Sequence, residues 1–131
     1  MALARDTGAY KDCQALLKQV VAIVAVMPRT LRYNVGDYAI KSCIEMLTCI
    51  QMANLKVLQE RLQWFDEFFV YEERLRTLME VGIDSNIRKV QFKRIAEYDR
   101  LLTNVGRQIV GWRKATQNAV TSEGNRANCQ S

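Results

Sequence analysis

Histidine is absent from this chain of 131 residues, and a single proline interrupts it. Without imidazole, the histidine-containing zinc ligand sets and the most frequent general base are both excluded. The four cysteines, Cys13, Cys43, Cys49 and Cys129, form no CxxC pair, so metal-knuckle and thioredoxin-like spacings are missing too. Reduced thiols are expected, with no metal and no cofactor. One proline and six glycines punctuate the chain too little for a strand-rich fold with many turns. The apolar run at residues 20–27 is too short to span a bilayer, and Arg5, Asp6, Lys11, Asp12 and Lys18 break up its approach. No targeting or membrane segment is expected, which points to the cytoplasm.

Against these absences stands a strong helical period. Tyr10, Cys13, Leu17, Val20, Val24 and Met27 recur at spacings of three and four and mark a first helix over about residues 8–27. Pro28 disfavours helical geometry in Met27, and PRTLRY makes a connection. Asn34 followed by Asp37 resembles an N-cap opening a second helix, with Ile40, Ile44, Leu47 and Ile50 inward. The pattern changes face near residues 53–55. A third helix carries Leu58, Leu62, Phe65, Phe69, Leu75 and Leu78 and ends near Gly82, a residue suited to a left-handed cap. Asp84 or Ser85 can cap a fourth helix, in which Ile95, Tyr98, Leu102, Val105, Ile109 and Trp112 alternate by three and four. Residues 118–131 show no period and are expected to form a flexible tail behind a domain of residues 1–117. Four amphipathic helices with short connections pack most simply as an all-α, antiparallel, up-and-down four-helix bundle.

The formal charge is +5, and it is spread unevenly. The first third and the fourth helix are basic, whereas the third helix is acidic. Lys93, Arg100, Arg107 and Lys114 fall seven apart, opposite the apolar stripe of the fourth helix. Such a row drifts by about 20° per heptad and so keeps to one side of the helix. Lys89 extends it by a turn and Arg113 flanks it. Outward positions are charged in any bundle. With 19 basic residues against 14 acidic ones, however, four random charges would all be positive about one time in ten. A cation row attracts a phosphate backbone, because each neutralised phosphate releases condensed counterions.

Trp64, Phe65, Phe68, Phe69 and Tyr71 crowd the third helix, and the first four cover more than half its circumference. Core and subunit packing is the expected role, with the surplus directed at a partner or a second copy. Gly106 and Gly111 each forgo about 1 kcal/mol of helix stability relative to alanine. They flank the stripe that holds Trp112, where a missing side chain lets neighbouring backbones close up, so tight helix or subunit packing is expected at both. No Gly-rich phosphate loop is present, and the adjacent carboxylates, Asp66 with Glu67 and Glu72 with Glu73, fall on solvated helix faces. No catalytic site is expected.

PRTLRYNVG, residues 28–36, and GRQIVGW, residues 106–112, resemble the accessory variability determinant family of diversity-generating retroelements. That family is in turn similar to the four-helix-bundle proteins encoded in intervening sequences of bacterial 23S ribosomal RNA genes. The likeness runs from about Tyr10 to Thr116. Where the family often has a second glycine before its Gly-Trp pair this chain has Val110, and Asp37 stands where glutamine is common.

The resemblance implies a basic, homopentameric, cytoplasmic bundle, bacterial or phage-encoded. It would bind DNA and template RNA through phosphate contacts and associate with the element's reverse transcriptase. Such proteins support mutagenic retrohoming. The match places Gly106, Arg107, Gly111 and Trp112 on the family motif and adds Arg29 and Arg32 to the expected contacts. Two alternatives stand beside it: a bundle adaptor that binds only proteins, and a small helical enzyme, against which the missing site argues.

Overall fold

Each helix follows from where the chain can cap, and from where it cannot continue. The computed structural model describes residues 7–85 and 89–130, with the side chains of residues 126–130 excepted. Helix α1 spans Gly8–Ala25, and Thr7 caps it by accepting a hydrogen bond from the Tyr10 amide at 3.2 Å. Pro28 stops it as expected. The chain then re-enters helical geometry at once, through a short turn, Arg29–Leu31, and a π-helical turn, Arg32–Gly36, that run into α2, Asp37–Leu55. Lys56 and Val57 are extended and separate α2 from α3, Leu58–Asp84. Helix α4 spans Phe92–Gln130.

The four long helices lie antiparallel in chain order, and the described residues contain no strand. Helix α1 packs against α2 and α4, and α3 packs against the same two. Cross-helix contacts set the registers: Gln51 donates to the Tyr10 hydroxyl at 3.3 Å, and Gln108 donates to Asp12 at 2.7 Å. Phe65, Phe68, Leu16, Ile23, Met46, Leu75, Met79 and Ile109 fill the centre.

Several local expectations change. Asn34 is not an N-cap. It lies inside the π turn and its amide donates to the Thr30 carbonyl at 2.7 Å, so the helical path is continuous from Arg29. Ile44 is 45% exposed. The inward face of α2 is Ala39, Ser42, Cys43, Met46, Cys49, Ile50 and Ala53; of the expected row Ile50 alone is fully buried, because small and sulfur-bearing residues make up the rest of that face. No described glycine has positive φ. Gly82 is accordingly no left-handed cap but a buried helical residue against Met27. Asp84 and Ser85 close α3, where the Ser85 hydroxyl donates to the Val81 carbonyl at 2.8 Å, and α4 starts seven residues later. The end expected at residue 117 is not a break in secondary structure either. Residues 118–130 continue α4, because nothing there prevents helical geometry even though the apolar period has ended.

Gly36, the last residue of the π turn, lies tight against α1, since a Cβ there would lie 2.6 Å from Val24 Cγ1. Val24 is buried and, being β-branched, has few other rotamers. Gly106 faces the Glu72 carboxyl, which would sit 2.8 Å from an added Cβ, whereas Gly111 has nothing within 4 Å. Within the chain, Gly106 thus meets the end of one side chain and no neighbouring backbone, and Gly111 meets neither. Gly36→Ala should destabilise by about 1–3 kcal/mol through overpacking. Gly111→Ala should gain about 1 kcal/mol from helix propensity. Chemical denaturation of the two variants reads both signs.

Glu72 itself carries a second consequence. Its Oε2 is buried without a hydrogen-bond partner, and burial raises its pKa above the ordinary carboxylate value despite Arg76 Nη2 at 3.6 Å. Between the two pKa values the native state binds more protons than the unfolded state, so stability falls as pH rises through that interval. Glu72→Gln should therefore melt above wild type at pH 7 and together with it at pH 3, as followed by circular dichroism.

Candidate nucleic-acid interface

The basic row on α4 follows from its apolar stripe. Tyr98, Leu101, Leu102, Val105, Ile109 and Thr116 are buried, which leaves Lys93, Arg100, Arg107 and Lys114 exposed on the far side. At 1.5 Å per residue the row is roughly 30 Å long. Lys89, just before the helix, is exposed as well.

The cations differ in their partners. Arg100 makes two hydrogen bonds to Glu97, from Nε at 3.0 Å and from Nη2 at 2.5 Å. The Arg100 hydrogen bond holds the Glu97 carboxyl below the usual range. Arg113 reaches across to α3, with its Nε 2.9 Å from Asp66 Oδ1. Among the described residues, Lys89, Lys93, Arg107 and Lys114 have no carboxylate within ion-pair distance. Trp112 packs edge-on against Phe65 with ring centroids 4.8 Å apart.

Arg29 is exposed, but Arg32 is half-buried and its Nη2 donates to the Met27 carbonyl at 3.1 Å. Met27 lies just beyond α1, so Arg32 ties the connection back onto itself, and its Nε is buried without a hydrogen-bond partner. Two cations outside the expected set, Lys11 and Lys18, are exposed on α1, the neighbour of α4. The signal that could have found them is their own spacing of seven. Arg94, also outside that set, donates to Gln19 on α1 at 3.2 Å.

Packing sorts the charge into two halves. Together α1 and α4 hold nine basic and four acidic residues, and α2 and α3 hold four basic and nine acidic. The connections add further basic residues, Arg29, Arg32, Lys56 and Lys89 among them. One side of the bundle is therefore cationic and the other anionic.

The aromatic cluster of α3 is largely absorbed. Phe65 and Phe68 are fully buried, and Trp64, Phe69 and Tyr71 pack partly against the core. The thiols are internal too. A hydrogen bond with Cys43, together with burial, pushes the Cys13 thiol far up, and burial followed by Glu67 and Glu45 pushes Cys49 up to about 12. Both stay protonated near neutral pH. The side chain of Cys129 lies outside the described residues. Among the described residues no helix is long and apolar enough to cross a membrane. The chain matches no protein-family model, no curated protein and no solved structure.

Proposed function

We propose that this chain is a non-enzymatic nucleic-acid-binding accessory protein of a diversity-generating retroelement. In this role it associates with the element's reverse transcriptase and with template RNA and its DNA copy during mutagenic retrohoming. The observation that carries the reading is the sorted charge, with a row of exposed cations on α4 beside Lys11 and Lys18 of α1. Cations so placed meet phosphates and not base edges, which makes binding tolerant of sequence and sensitive to salt.

Assembly as a ring of five copies belongs to the same proposal, and the number rests on the family resemblance. The seam between α1 and α2 supports self-association, because Val21 and Ile44 are exposed there while Leu17, Ile40 and Leu47 are half-buried beside them. A protein-only adaptor is the second reading. In its favour is a shallow apolar hollow of 610 Å³ on the acidic helix α3, lined by Phe69, Val70, Glu73, Arg74, Thr77 and Leu78. Capture of a retroelement reverse transcriptase, with and without nuclease, separates the two: only the adaptor reading expects no nucleic acid in the complex.

Lys93→Glu, Arg100→Glu and Arg107→Glu combined should leave helicity and mass unchanged, since all three side chains are exposed. Affinity for RNA and DNA should fall. The slope of log affinity against log salt should become shallower by about 0.9 for each phosphate of a duplex that is no longer neutralised, or about 0.7 on single strands. Arg100→Glu alone should act least, because Arg100 is already paired with Glu97. A folded triple variant that binds like wild type across a salt series would remove the row from the interface.

A further inference from the structure

The aromatic rings left most exposed in the described chain are gathered at one end of the bundle. Phe92 is 80% exposed, Tyr33 64% and Tyr38 58%. They come from three places, the start of α4, the π turn and the first turn of α2, which the antiparallel packing brings to the end where α1 and α3 finish. Among the described residues at that end, 26–41 and 81–93, five are basic and two acidic. The ammonium of Lys41 stands 5.5 Å from the centroid of the Tyr38 ring. Phe92 immediately precedes Lys93, so the cation row of α4 leads directly to the Phe92 ring.

We infer that this end of the bundle is a stacking platform for single-stranded RNA or DNA, with Tyr33, Tyr38 and Phe92 holding unpaired bases and Arg29, Lys89 and Lys93 holding phosphates. The inference rests on the nucleic-acid reading above and specifies which form of nucleic acid is taken. A ring can stack on any base whose face is free, whatever its identity, whereas a duplex hides those faces along its length. The surrounding charge favours a polyanion over a second copy, because a symmetric contact between two such ends would set like charges against each other. The π turn adds a local reason. Such turns are rare and often occur at functional sites, and this one carries Tyr33 on a backbone pinned by Arg32 to Met27 and by Asn34 to Thr30.

The test is fluorescence anisotropy with the full chain and four labelled probes of equal length: oligo(dT), oligo(U), an abasic strand and a duplex. Tyr33→Ala, Tyr38→Ala and Phe92→Ala combined should weaken binding of both base-bearing single strands by about fivefold or more for each ring engaged. Binding of the duplex and of the abasic strand should not change. Phe92→Trp should keep the single-strand affinity. If the triple variant loses helicity, Phe92→Ala alone decides, since that side chain is almost wholly in solvent. Unchanged single-strand binding by a folded variant overturns the platform while leaving the basic row as an interface. Equal losses on all four probes overturn it as well, and so does a change in oligomer mass, which would assign the rings to contacts between copies. Wild type that binds none of the four probes sinks the nucleic-acid reading itself.

Discussion

Short connections govern this architecture. Two extended residues join α2 to α3, and a helical turn plus a π turn join α1 to α2, so each helix must lie against the one before it. Four helices laid down in this way close on themselves, and the first meets the last. Both of those helices are basic. Their contact therefore sets like charges side by side, and the fold meets that cost with neutral and acidic groups at the seam. Asp12, the one acidic residue of α1, accepts from Gln108, while Arg94 turns inward to Gln19. The remaining cations splay outward, where solvent and salt weaken their repulsion. Apolar burial along the shared core holds the pair together.

Much of this was legible in the sequence because it depends on residues close together in the chain. The stripe from Ile95 to Trp112, the stop at Pro28 and the change of face near Leu55 are local signals of period and backbone restriction. The basic row was legible for the same reason, as four cations seven apart. Errors arose where a residue had two physical uses. Gly82 can take a left-handed conformation, but it is equally suited to making room for Met27. Ile44 is a strong hydrophobe, yet the core beside it is built on Cys43 and Met46, whose bulk and polarisability suit the interior as well.

What lay beyond the sequence was everything that needs a partner from another helix. The half-buried Glu72 carboxyl depends on where Gly106 falls across the groove, and Arg113 depends on Asp66. Arg32 reads in the chain as one more cation in a basic connection, whereas its guanidinium is half-buried and donates to the Met27 carbonyl within that connection. The exposed rings are the extreme case, because Tyr33 and Phe92 share an end of the molecule only through two antiparallel passes, out along α2 and back along α3.

The sorted charge also sets how this protein appears to a neighbour at a distance. Helices in contact have axes about 8–10 Å apart, so the outer surfaces of a two-layer bundle lie roughly 20 Å from each other. At physiological ionic strength the Debye length is about 8 Å. An object on the outer face of α1 and α4 is therefore more than two screening lengths from the carboxylates on the far face of α2 and α3 and senses them weakly, whereas Asp66 and Glu72 reach the groove beside α4 and lie nearer. The formal net charge understates both faces. In solution the chain acts as two separate surfaces of opposite sign, and the dipole between them turns the molecule toward a polyanion before contact is made.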